Sequence, residues 1–206
     1  MSGLAIIIVV SYLLGSIPFG YLLVKLFRGE DVRKSGSGNI GATNVSRKSP
    51  TLGVLTLILD ALKGTAAVIL AAYLMRSSTT DFHIRIMSLA ALCAIAGHLF
   101  PVWLKFHGGK GVATGLGSFL AISPKSVLIA AAIFVIVVAL FRYISLGSII
   151  AVASFPILAW LLHQYGNDAL ALLFMSSSAL LIIVKHHANI RRLLSGTENR
   201  FGASRA

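Results

Sequence analysis

Acidic residues are nearly missing from this chain: six Asp and Glu stand against eighteen Lys and Arg in 206 residues. Carboxylates this sparse are too few for paired acid and base catalysis. Cysteine is down to one, Cys93, inside an apolar run, so an intramolecular disulfide is excluded. No Ser-His-Asp arrangement and no G-x-S-x-G motif occurs, so no activated nucleophile stands out. Charge of any sign is scarce, at 12% of residues, where a soluble domain carries about a quarter. With 57% hydrophobic residues and a mean hydropathy of +0.89, the composition is that of an integral membrane protein. No basic stretch precedes the first apolar run at Leu4, so a cleaved signal peptide is not expected.

What is present is apolar sequence in seven blocks, about 4–27, 52–75, 86–106, 112–123, 126–141, 146–163 and 168–186. Most approach the roughly 20 residues that span a bilayer as a helix. The fourth is short, carries Gly115 and Gly117 and stops at Pro124, which suits either a thin span or one arm of a re-entrant hairpin. Helices are the expected spanning form, because lipid offers no partner to open backbone. The net charge of +12 reads first as an orientation signal. With the N-terminus outside, fourteen of the eighteen basic residues, from Lys25 to Arg205, fall inside. Arg76, Arg85 and Lys125 fall outside, and Lys63 within a span. That asymmetry predicts an all-α membrane protein forming one domain over 1–206. It has seven transmembrane helices, an outside N-terminus and a cytoplasmic C-terminus. Every polar motif then faces the cytoplasm. No nucleic-acid partner is expected.

The richest motif is SGSGNIGATNVSR at 35–47. Its glycines let successive backbone amides turn toward one point, and amides with an arginine suit a phosphate. Arg47 is the residue most like a phosphate clamp, whereas Arg28, Arg33, Lys34 and Lys48 read better as orientation charge. Asn39, Thr43 and Asn44 can bond substrate hydroxyls, or cap the loop and the following helix. A second loop, Gly108-Gly109-Lys110-Gly111 with Thr114, lacks P-loop spacing. It reads either as an anion site opening a helix N-terminus or as a flexible turn with a lysine.

In the tail, His186, Asn189 and Leu193 share a face if the segment is helical, and His186 suits phosphate donation or proton transfer. A basic interfacial helix is the plainer alternative. His186 and His187 make a poor metal pair, and no metal or cofactor is expected. Glu198 can brace a motif arginine. Asp60 and Lys63 lie three apart inside the second span and read as a structural pair. His163 and Asp168 spell an H-x-x-x-x-D pattern on the opposite side of the membrane, which reads as coincidence.

At these residues the chain resembles the PlsY family, the membrane acyl-phosphate:glycerol-3-phosphate acyltransferases of bacteria. The motifs at 35–47, 107–114 (HGGKGVAT) and 186–198 (HHANIRRLLSGTE) carry the likeness, with GSIPFGYLL, LDALKG, GHLFPVW and RYISL around them. The resemblance implies a seven-helix bundle in the bacterial inner membrane with its site facing the cytoplasm. It implies acyl transfer from acyl phosphate to sn-glycerol 3-phosphate, giving lysophosphatidic acid and phosphate. Functional coupling to the enzyme that makes acyl phosphate follows. By the same resemblance Ser37, Asn39, Thr43, Asn44 and Arg47, with Lys110, Arg142, Ser145, His186 and Asn189, line the site. The Gly108–Gly111 loop is expected to hold glycerol 3-phosphate, with Arg47 and Lys110 clamping phosphate. The rival from another class is an organic-phosphate transporter, which the crowding of polar residues at one interface disfavours.

Overall fold

The computed structural model describes residues 3–76 and 80–202, in which all regular structure is helical. Arg205, counted above among the inner basic residues, lies outside the described residues. In chain order the helices are α1 (Gly3–Ser16), α2 (Phe19–Arg28), α3 (Ala42–Val45), α4 (Pro50–Leu74), α5 (Thr80–Leu99), α6 (Val112–Leu120), α7 (Pro124–Phe141), α8 (Ile144–Leu161), α9 (Ala169–Lys185) and α10 (His187–Leu194). Single 3₁₀ turns lie at Val32–Lys34 and Val102–Leu104.

Five stretches are long and apolar enough to cross a bilayer: Gly3–Arg28, Pro50–Leu74, Phe82–Leu104, Pro124–Phe141 and Ile144–Leu161. A sixth is α9 joined to α10 across a 56° bend. The first expected span is not one helix. Pro18 divides α1 from α2 because it brings no amide hydrogen to the ladder. Nor does the short fourth block fill a bilayer: α6 has nine residues, about 14 Å of helix.

Local chemistry sets the boundaries. Ser49 caps α4 by accepting from the Leu52 amide, and Pro50 stands in its first turn, where a missing donor costs nothing. Asp168 caps α9 by accepting from the Ala171 amide at 2.9 Å. The same carboxylate accepts from Arg85 Nε at 2.9 Å, and this hydrogen bond holds it below its usual range. The Asp168 of the H-x-x-x-x-D pattern is thus occupied by structure.

Small residues bring α6 hard against α4. A Cβ on Gly117 would run into the Ala61 backbone, and Thr65 Oγ1 donates to the Gly117 carbonyl at 2.8 Å. At its far end α6 meets the α8–α9 connection. There Ser123 Oγ donates to the Gln164 carbonyl at 2.7 Å, and the Ser126 amide to Gln164 Oε1 at 2.8 Å. The main core lies among α4, α5, α6, α7, α8 and α9, around Val68, Ile95, Leu99, Phe119, Val127, Phe155, Met175 and Ile182. The Phe119 and Phe155 rings pack at 4.5 Å between centroids. Leucines, isoleucines and valines such as Leu62, Ile69, Val135, Leu140 and Leu180 are exposed around the outside, which suits contact with lipid tails.

Candidate active site

The loop between α2 and α4 is built around one amide side chain. Asn44 Nδ2 donates to the carbonyls of Val32, Ser35 and Asn39 at 3.2, 3.1 and 2.8 Å. Its Oδ1 accepts from the Ser37 amide at 2.9 Å. Gly36, at φ 58°, leaves room for that oxygen, because a Cβ there would collide with Asn44 Oδ1. Val32, Ile40 and Val45 pin the loop against Val24 and Leu104. Asn44 therefore holds the loop in shape and has little capacity left for a ligand. Asn44→Asp is expected to cost about 2–4 kcal/mol, since a carboxylate cannot donate to three carbonyls. Thermal unfolding in detergent should show a clear fall in Tm; an unchanged Tm would remove this role.

The basic residues of the loop sort by partner. Asp31 pairs with Arg33 at 2.7 Å, and this hydrogen bonding pulls the Asp31 carboxyl down to about 2. Glu30 pairs with Lys48 at 2.7 Å and with Arg28 at 3.5 Å. The Arg47 side chain makes no hydrogen bond or ion pair with any described residue, and it lines a cavity of about 940 Å³.

The glycine-rich second loop works differently from the sequence expectation. The Gly108 amide donates to the Leu99 carbonyl at 3.2 Å, and the Gly109 amide to the His98 carbonyl at 3.1 Å. These two amides serve the C-terminus of α5, whose last carbonyls have no helical donor. Neither Gly108 nor Gly109 lines the cavity; Gly108 borders a separate crevice of about 510 Å³. Lys110, Gly111, Val112 and Ala113 do line the cavity. With Gly111 as N-cap of α6, the free amides of its first turn are the backbone donors on this side. Lys110 has no ion-pair partner among the described residues. Burial pushes its ammonium down to about 8; Glu198 pulls the other way, and Arg192 and Arg47 add to the fall.

The tail closes the third side. Glu198 accepts from Ser145 Oγ at 2.8 Å, Asn189 Nδ2 at 2.7 Å and Arg192 Nε at 2.6 Å. Burial pushes its carboxyl up, but these three bonds outweigh burial and hold it below its usual range. Glu198 thus ties α8 to α10. His186 sits at the bend between α9 and α10, buried, with Nδ1 donating to the Ile182 carbonyl at 2.8 Å. A carbonyl can only accept, so the neutral ring presents Nε2 as an acceptor. Arg142 stays off the cavity wall and holds the tail instead, donating from Nε to the Phe201 carbonyl at 3.1 Å. Thr114 is fully buried where α6 meets α4, also off the wall.

The cavity therefore gathers Ser37, Asn39, Thr43, Asn44, Arg47, Lys110, Gly111, Ser145, His186, Asn189 and Glu198, and leaves out Gly108, Gly109, Thr114 and Arg142. Sequence reasoning missed its apolar edge of Leu57, Phe134 and Ile144, its tail residues Asn199 and Arg200, and His98. Only His98 carried a signal, as an ionisable side chain inside an apolar run. Asp60 also lines the wall, ten residues after Pro50 and so about 15 Å along α4. The cavity reaches toward mid-membrane depth. Arg47 and Lys110, whose side chains have no partner among the described residues, suit a phosphate dianion, and the apolar edge suits a hydrocarbon chain.

Residues 5–196 match the glycerol-3-phosphate acyltransferase family. A glycerol-3-phosphate acyltransferase of Syntrophotalea carbinolica is 50% identical over 204 residues, covering 98% of this chain and 100% of the relative. One of Ehrlichia canis is 49% identical over 194 residues, covering 94% and 96%. Crystal structures of PlsY, an integral membrane glycerol 3-phosphate acyltransferase, superpose closely. The glycerol 3-phosphate form gives a TM-score of 0.87 at 39% identity, covering 97% of this chain and 96% of that one. The lysophosphatidic acid form gives 0.83 at 37%, covering 97% and 95%. Agreement of this extent in sequence and fold makes the chain an integral membrane acyltransferase belonging to the glycerol-3-phosphate acyltransferase family.

Proposed function

We propose that the donor is a fatty acyl phosphate, and that its acyl group passes to the 1-hydroxyl of sn-glycerol 3-phosphate. The carbon–oxygen bond to the new ester forms, the acyl–phosphate bond breaks, and inorganic phosphate leaves with the hydroxyl proton. The observation that carries this reading is that Arg47 and Lys110, cations whose side chains have no partner among the described residues, face one cavity that also has an apolar edge. A donor that already carries a good leaving group needs charge stabilisation and positioning more than a nucleophile. A leaving phosphate can itself take the proton. His186 Nε2 is the alternative acceptor, and a bell-shaped rate profile abolished by His186→Ala would favour it. The first turn of α6 with Lys110 is assigned to glycerol 3-phosphate, and Arg47 with the Ser37–Thr43 loop to the donor phosphate. The acyl chain lies along Leu57, Phe134 and Ile144, open to the lipid. Lysophosphatidic acid is the product, as the lysophosphatidic acid form of the PlsY neighbour supports.

The proposed topology is seven crossings of the bacterial inner membrane, N-terminus outside, C-terminus and cavity on the cytoplasmic side. Two points support it. α6 starts from a recessed cavity wall and ends at the far loop around Gln164, so its short length reaches the opposite side. The basic residues concentrate at the cavity end. Single cysteines at Ser195 and Asn167, in a Cys93→Ser background, should react with an impermeant thiol reagent only after and already before permeabilisation, respectively; the reverse pattern inverts the orientation.

The deciding assay supplies purified protein with glycerol 3-phosphate and either palmitoyl phosphate or palmitoyl-CoA. Phosphate release and lysophosphatidic acid are expected with the first donor alone. Turnover with the CoA donor alone overturns the donor assignment.

A further inference from the structure

Beside Lys110 the cavity wall holds two buried polar side chains without a task in that reaction, Asp60 and His98. Each is only 3% exposed. Lys63, 2% exposed, stands 2.9 Å from Asp60 Oδ1 and donates to the Ile17 carbonyl at 2.7 Å, where α1 breaks into α2. His98 Nδ1 lies 3.6 Å from the same Asp60 oxygen, beyond hydrogen-bond distance, and has no other partner among the described residues. An unsatisfied buried polar atom lowers stability, and such groups concentrate where function holds them.

The far side of the His98 ring meets the loop. A Cβ on Gly109 would occupy the place of His98 Nε2, and the Gly109 amide donates to the His98 carbonyl. Gly109 precedes Lys110 directly. A continuous line of contacts thus runs from Ile17 through Lys63, Asp60, His98 and Gly109 to Lys110. A lysine ammonium on a four-carbon stem has no geometry of its own, so its backbone must be fixed for its charge to be placed.

We infer that His98, seated by the Asp60–Lys63 pair, is a positioning residue that sets Lys110 for the phosphate of glycerol 3-phosphate. The inference rests on the assignment of that phosphate to Lys110 given above, not on the identity of the acyl donor.

A double-mutant cycle tests it. Wild type, His98→Ala, Lys110→Ala and the double variant, each full length in detergent, are titrated with glycerol 3-phosphate by calorimetry. The value of kcat/KM for that substrate is measured in parallel. Calorimetry needs no donor, so the cycle stays readable if palmitoyl phosphate fails as donor. His98→Ala is expected to weaken binding about tenfold when Lys110 is present and by less than about twofold when it is absent. Equal losses in both backgrounds overturn the inference, because a merely structural histidine acts whatever stands at position 110. Unchanged affinity in Lys110→Ala alone removes the phosphate assignment and the inference with it. Gly109→Ala, which pushes the ring aside without deleting it, is expected to repeat the pattern and serves if His98→Ala does not fold. Wild-type affinity in Gly109→Ala also overturns the inference.

Discussion

Arg47→Ala is expected to lower turnover about a thousandfold, the upper end of the loss seen when one preorganised donor is removed from a developing oxyanion. The protein should still insert and fold. The Arg47 guanidinium has no protein partner among the described residues, so truncation leaves no carboxylate or carbonyl stranded, and its stability cost should stay within about 0.5 kcal/mol. The loss should fall mainly on kcat, since charge builds on the departing phosphate as the acyl bond breaks. Arg47→Lys should recover only part of the rate, because an ammonium cannot bind two oxygens in one plane. Arg33→Ala is the matched control: it removes the same charge from the same loop, but that guanidinium is already engaged by Asp31. Its effect should stay within about twofold, the scale of a surface ion pair. Near-normal turnover in Arg47→Ala would take this residue out of the site. Equal losses in both variants would mean that net charge, not a placed guanidinium, matters.

The contrast between Arg47 and Arg33 was partly legible in the sequence, because Arg33 follows an aspartate by two residues and Arg47 follows no acid. The helices were legible because lipid leaves the backbone no other partner, so hydropathy alone marks them. What sequence could not give was the acceptor side of the hydrogen bonds. Gly108 and Gly109 look like free donors until α5 delivers two orphan carbonyls to them, and that delivery is tertiary. Asn44 looks like a ligand to a substrate hydroxyl until its four bonds within the loop are seen. Arg142 and Thr114 sit in motifs and still lie off the cavity wall, one bonded to the tail and one buried where α6 meets α4. The length of α6 left a thin span and a re-entrant arm both open for a related reason: length alone does not say where a helix starts, and α6 starts beside a cavity that reaches about 15 Å along α4. His98 was visible as an ionisable residue in an apolar run, yet its neighbours Asp60 and Gly109 are brought to it by packing alone.

Lys110→Ala is expected to raise the Michaelis constant for glycerol 3-phosphate about thirtyfold to a hundredfold at pH 7. That is the scale of one charge-assisted hydrogen bond to a phosphate, about 2–3 kcal/mol. Its pH dependence gives a sharper test. Burial leaves the free ammonium titrating at about 8, so the lysine is charged below that pH and neutral above it. The phosphomonoester of the substrate has finished its own second ionisation by then, with a pKa of about 6. Any fall in kcat/KM through pH 8 therefore reports the free enzyme, and the loss runs toward alkaline pH. Once phosphate is bound, its negative charge favours the ammonium, so kcat should hold to higher pH than kcat/KM. Lys110→Arg keeps its charge well past pH 10 and should flatten the alkaline limb, at some cost in fit. A wild-type kcat/KM that stays level to pH 9.5 would mean that Lys110 is not the group that titrates. An alkaline limb surviving unchanged in Lys110→Arg would assign it to another residue and return the phosphate to the loop around Arg47.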